Sequence, residues 1–145
     1  KILLPYIPNQ NGIAEISFKK LLIRNEILPS SVFFKAEILK NVGIFNENFR
    51  YAEDLNYWYK ISQKHSMVIL NQELIIAGEG KRTFGYSGLS ANLKEMEKGF
   101  QAGLKELYDE KMINFLEFIM YSFYFKLKYV LRITRNSYHR FKEKS

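Results

Sequence analysis

Acid–base chemistry in this chain falls to its carboxylates. There is no cysteine, which excludes thiol nucleophiles, disulfide scaffolds and cysteine–zinc sites together. The two histidines, His65 and His139, cannot make a His-rich metal site, and only two aspartates occur, Asp54 and Asp109. Asp54 directly follows Glu53, and the pair opens a helical stretch that runs to about Lys64. A carboxylate there is held rigidly and stays ionised beside the positive end of the helix. The same placement suits a plain N-cap, a position that favours Asp, with Glu53 as a solvated neighbour. A second group of chemistry-bearing residues is Lys81 and Arg82, set among Gly78, Gly80, Gly85 and Gly88. A loop that rich in glycine is mobile or lets backbone approach a ligand closely.

The elements that must position these residues follow from periodicity. Asn9 to Gly12 is a turn cluster. Ala14 to Ile23 has helical spacing, with Glu15 and Lys19 four apart. Ser31 to Phe34 carries strong β-formers and reads as a strand. Ala36 to Asn41 reads as a short helix closed by Gly43. After the helix opened by Asp54, with Leu55, Trp58 and Ile61 on its buried face, Met67 to Leu70 and Leu74 to Ala77 read as strands around an Asn71-Gln72 turn. Ser90 is placed to cap a helix whose apolar stripe is Leu93, Met96, Phe100, Leu104 and Leu107. Beyond Lys111 there is neither Gly nor Pro, so a long helix is expected.

The 145 residues suffice for one domain with a real core. The 47% hydrophobic content excludes a disordered chain, and the net charge of +7 favours anionic partners. The chain opens on Lys1 and an apolar Ile2-Leu3-Leu4-Pro5, without the pattern of a signal peptide. Few strands among many helices suggest an α/β domain of which this is the C-terminal half, within a longer protein.

The stretch from Val42 to Ile61 is the most specific. Its turn, Gly43-Ile44-Phe45-Asn46-Glu47, its Glu53-Asp54 pair, Trp58 and the basic Lys60 resemble the acceptor-side half of family 2 glycosyltransferases of the GT-A fold. Arg24-Asn25-Glu26-Ile27 ahead of Ser30-Ser31-Val32-Phe33, and the Gly80 to Ser90 loop with its Gly88-Leu89-Ser90, are similar to flanking segments of that family; the likeness spans roughly residues 21 to 100. The resemblance implies the C-terminal half of a GT-A fold over residues 1–110, followed by a basic aromatic helix over 111–145. It implies transfer of a sugar, with inversion, from a nucleotide-diphospho-sugar to a saccharide or lipid-linked acceptor in bacterial surface-polysaccharide assembly. Asp54 would be the base that takes the acceptor proton, and Glu53 would orient it or bind an acceptor hydroxyl. Lys81 and Arg82 would close over the donor diphosphate or form a solvated basic loop. Ser87 and Ser90 are candidates for sugar or phosphate oxygens. Trp58 is a candidate to stack on a sugar ring, although its place on the apolar face favours core packing. Lys60 completes the substrate-binding set. The family's Asp-x-Asp metal motif does not occur here. The divalent Mn or Mg expected in the full-length enzyme would be bound by residues outside this chain, and the chain alone is expected to be inactive.

Residues 112 to 145 contain seven Lys or Arg against two Glu, +5 of the total +7. The apolar run Phe115 to Phe125 is too short and too soon interrupted by Lys126 and Lys128 to span a bilayer. Aromatics interleaved with basic residues suit the surface of an anionic membrane; the expected location is cytoplasmic, and a helix used in this way would make the protein peripheral on the inner face of the cell membrane. The other fate for such a helix is burial against its own domain, with a solvated basic end. The alternative function is a basic nucleic-acid-binding or non-catalytic interaction module. No helix-turn-helix, RRM or KH signature supports nucleic acid.

Overall fold

Near the N-terminus, Asn9 Oδ1 accepts the backbone amides of Asn11 and Ile13. Gly12 takes φ +73°, a reversal that a side chain would strain. The chain leaves this turn extended, as β1 (Ile13–Ile16). β1 pairs antiparallel with β2 (Met67–Leu70), from Ile13 opposite Leu70 to Ile16 opposite Met67. Ala14 and Ile16 are buried while Ile13 and Glu15 face out, the alternation of a one-sided strand. Ser17 then accepts the Lys20 amide and starts α1 (Phe18–Ile23), which buries Leu21 and Leu22. The helix expected over Ala14 to Ile23 is therefore a strand followed by a helix, because β2 offers Ile13–Ile16 a ladder that local spacing does not reveal. This computed structural model describes residues 4–76 and 84–144.

The strand expected over Ser31 to Phe34 does not form. Pro29–Ser31 is a 3-10 turn in which the Ser31 amide and Oγ both donate to the Leu28 carbonyl. Phe33 is 95% exposed. Strand propensity has no effect without a neighbouring ladder, and β1 and β2 are paired with each other. α2 (Glu37–Val42) ends as expected at Gly43, which takes φ +87° and donates its amide to the Leu39 carbonyl. α3 (Glu53–Lys64) has the expected extent and buries Leu55, Trp58 and Ile61, together with Asn56, Tyr57 and Tyr59. The segment from 74 to 76 is not strand, and Ala77 lies outside the described residues.

Asn92, not Ser90, caps α4 (Leu93–Asp109), with Oδ1 accepting the Glu95 amide at 3.2 Å. Ser90 sits two residues too early, in a 3-10 segment (Leu89–Ala91), where its Oγ donates to the Ser87 carbonyl. The stripe residues Phe100, Leu104 and Leu107 are buried. Asn114 and Glu117 start α5 (Phe115–Lys144) with a reciprocal cap: the Glu117 amide donates to Asn114 Oδ1, and the Asn114 amide to Glu117 Oε2. α4 and α5 pack together through Phe100 stacked on Phe125 at 5.6 Å, and Gln101 Nε2 donates to the Ser122 carbonyl at 3.1 Å.

The architecture is mixed α/β: among the described residues, five helices and a two-stranded antiparallel sheet, with the longest helix last. Two compact units divide the chain. The first is Lys1–Glu47 with Asp54–Glu79, and the second is Asn48–Glu53 with Gly80–Ser145. The first has a core of Leu21, Leu22, Tyr57, Trp58 and Ile61. The second has its core between α4 and α5.

Candidate functional site

The turn after α2 and the helix α3, separated in sequence, pack on one another. The Tyr57 hydroxyl donates to the Gly43 carbonyl at 2.7 Å, and Lys64 Nζ donates to the Asn41 carbonyl at 2.9 Å. Phe45 lies 4.4 Å from the Tyr57 ring and 6.0 Å, edge to face, from Trp58. The turn motif and the carboxylate helix thus form one local substructure. Tyr57, which ties them, was not among the residues singled out from sequence; its only signal is a Tyr one position ahead of the buried Trp.

Asp54 is the second residue of α3. The Leu55 amide donates to its Oδ1 at 2.7 Å, and its own amide also faces the carboxylate. Burial raises its pKa above the ordinary carboxylate range, and the two amide contacts only partly oppose this. The result is a fixed, partly desolvated carboxylate that is more basic than a surface aspartate. Glu53 is half-buried beside it at the first position of the helix.

Ala52, directly before the pair, is buried and has φ +58°. A left-handed alanine costs about 1–2 kcal/mol, so the backbone entering α3 is held there by its surroundings. Part of that hold is visible. An added Cβ on Gly99 of α4 would come within 2.4 Å of the Tyr51 carbonyl oxygen, so the helix backbone lies against the Tyr51 carbonyl. Neither Ala52 nor Gly99 is legible as a site residue from sequence.

The remaining candidates are placed as follows. Trp58 is 1% exposed, caged by Tyr57 and Phe45. It occupies the core, and its ring presents no face to a sugar. Its Nε1 has no hydrogen-bond partner among the described residues. Lys60 is half-buried on α3. Ser87 is exposed and Ser90 half-buried, joined by the Ser90 Oγ bond. Lys81 and Arg82 lie outside the described residues.

A titratable cluster that sequence reading missed lies between α4 and α5. Glu97 is buried, with Oε1 accepting from Gln101 Nε2 at 2.7 Å and Oε2 without a hydrogen-bond partner among the described residues. Burial raises its pKa, opposed by the Gln101 hydrogen bond and the charges of Arg132 and Lys126. The Arg132 guanidinium lies over the Phe84 ring at 4.4 Å and the Phe100 ring at 4.9 Å, with its pKa lowered by burial against the pull of Glu97. The signal was present: Glu97 falls in the apolar stripe between Leu93 and Phe100.

A shallow concavity of about 490 Å³ at the α4–α5 corner is lined by Tyr108, Asp109, Lys111, Ile113 and Asn114. Its carboxylate, Asp109, is ion-paired with Lys105 at 2.7 Å, and none of the candidates above lines it. Among the described residues, no group of three or more His, Asp or Glu is placed to hold a metal ion. No described helix is long and apolar enough to cross a membrane. The chain matches no protein-family model, no curated protein and no solved structure.

Proposed function

We propose that this chain is the acceptor-side part of an inverting glycosyltransferase of the GT-A type. Asp54 removes the proton of an acceptor hydroxyl as that oxygen attacks the anomeric carbon of a nucleotide-diphospho-sugar. The new glycosidic bond forms with inversion, and the bond to the diphosphate breaks with its electron pair on the leaving group. The observation that carries this reading is the state of Asp54: a half-buried carboxylate, pinned by the Leu55 amide, with its pKa raised by desolvation. A general base works best when it is both fixed and more basic than a solvated carboxylate. Further support is the packing of the Gly43–Glu47 turn on α3, which joins the two parts of the family-like motif.

In this reading Glu53 orients Asp54 or binds an acceptor hydroxyl, and Lys60 contacts the substrate. Lys81 and Arg82 neutralise the departing diphosphate. Acceptors are saccharides or lipid-linked saccharides of surface-polysaccharide assembly, on the cytoplasmic side of the membrane.

The test is release of nucleoside diphosphate from a panel of nucleotide sugars by the protein that carries this chain. Asp54→Asn keeps shape and hydrogen-bonding capacity but cannot take the proton. Turnover falls by roughly a hundredfold or more, while donor affinity stays nearly constant. Asp54 is the second residue of α3 and not its N-cap, so turnover equal to the parent's would leave it a structural residue of the first helical turn.

A further inference from the structure

α5 is about 45 Å long at the rise of an α-helix, and α4 covers only one side of it. Tyr121 and Phe125 are buried on that side. At about 100° per residue, Leu116, Ile119, Met120, Phe123, Leu127, Val130, Leu131, Tyr138 and Phe141 fall within a roughly 120° arc on the other side. All are exposed, with Leu116 and Phe141 at 76% and Phe123 at 71%.

The structure also sorts the basic residues. Arg132 is laid over Phe84 and Phe100, and Lys128 Nζ over the Tyr124 and Phe125 rings at 5.0 and 5.5 Å. Those two charges belong to the inner side. Lys126, Arg135, Arg140 and Lys142 are exposed. On the helix wheel, Lys126 borders one edge of the apolar arc, and Arg135 and Lys142 border the other. Of the two acidic residues of α5, Glu117 is engaged by the N-terminal cap.

We infer that the outer face of α5 is a docking surface for an anionic lipid bilayer, with the helix lying in the interface plane. Charge complementarity selects this occupant. Long basic side chains at the borders of an apolar stripe reach up to phosphate headgroups while Phe and Leu enter the acyl boundary. A second copy of the helix would bring the same positive charge against itself. Its pairing seam would also fail: the four–three spacing from Leu116 runs through Met120, Phe123, Leu127 and Val130, then meets Thr134 and Ser137. This inference does not depend on the glycosyl-transfer reading.

The experiment is co-sedimentation of the protein that carries this chain with vesicles of phosphatidylcholine containing an increasing fraction of phosphatidylglycerol. Binding rises with the anionic fraction and weakens with salt. The variant Lys126→Gln, Arg135→Gln, Arg140→Gln, Lys142→Gln binds on the order of several hundred-fold more weakly, at about fivefold per charge. The pair Phe123→Ser and Leu127→Ser abolishes binding without changing the helical circular dichroism. As a readout that does not depend on those variants folding, Phe123→Trp becomes quenched by brominated acyl chains, whereas Trp58 in the parent does not. Any of three results overturns the inference: equal binding to pure phosphatidylcholine, an unquenched Trp at position 123 on bound protein, or self-association lost in the Phe123/Leu127 variant with no vesicle binding. The last would give the face to a second copy.

Discussion

Replacing Gly99 with alanine sets two physical effects against each other, and they differ in sign. Gly99 lies inside α4, where alanine is favoured over glycine by about 0.8–1.0 kcal/mol on helix propensity alone. The added methyl would lie 2.4 Å from the Tyr51 carbonyl oxygen and 2.9 Å from its carbon. An ordinary contact lies near 3.4 Å, so backbone must move by about 1 Å, and overpacking of that kind costs about 1–3 kcal/mol. Backbone, unlike a flexible side-chain end, cannot turn aside. The expected net effect is destabilisation on the order of 1 kcal/mol, read as a fall of about 2–4 °C in the melting temperature followed by helical ellipticity. Gly99→Val falls further. Displacing the Tyr51 carbonyl also shifts Ala52 and Glu53, and with them the start of α3. A melting temperature raised by Gly99→Ala, as propensity alone demands, would refute the close approach of α4 to Tyr51.

Three further outcomes are expected. Because the folded-state pKa of Asp54 is raised, the native protein holds its proton more tightly than the unfolded chain, so this group's contribution to stability declines as pH rises from the ordinary carboxylate pKa through the raised one. Asp54→Asn removes that decline, and at neutral pH thermal unfolding shows it no less stable than the parent even where turnover is lost. Glu97 obeys the same sign, so Glu97→Gln flattens the pH dependence of melting just above the ordinary carboxylate range, checked by melts across a pH series. Arg132→Lys removes the planar contact with Phe84 and Phe100 and costs about 1 kcal/mol in chemical denaturation.

The parts of the fold legible in the sequence are those whose order is local. α3, α4 and α5 each carry a sustained apolar period, and Met67–Leu70 is a run of β-formers. What escaped depends on partners distant in the chain. Ile13–Ile16 becomes a strand because β2 lies opposite it, and Ser31–Phe34 does not because no described segment pairs with it. Ser90 and Asn92 are both good caps, and only the backbone path makes Asn92 the one that reaches the Glu95 amide. The same division holds at the candidate site. The Glu53–Asp54 pair and the burial of Trp58 were legible from residue type and period. The left-handed Ala52 and the packing of Gly99 on Tyr51 are products of tertiary structure, and no residue type announced them.

The placement of the one tryptophan has a spectroscopic consequence. Trp58 is enclosed by Tyr57 and Phe45 in the first compact unit, so its emission is blue-shifted and fed by energy transfer from the adjacent tyrosine. The second unit contributes no tryptophan, but it holds the two longest helices and therefore most of the far-ultraviolet ellipticity. Emission and ellipticity accordingly watch different halves of the chain, with no label attached. Coincident transitions by the two probes would mean that the units melt as one; a gap between them would measure how far each stands alone.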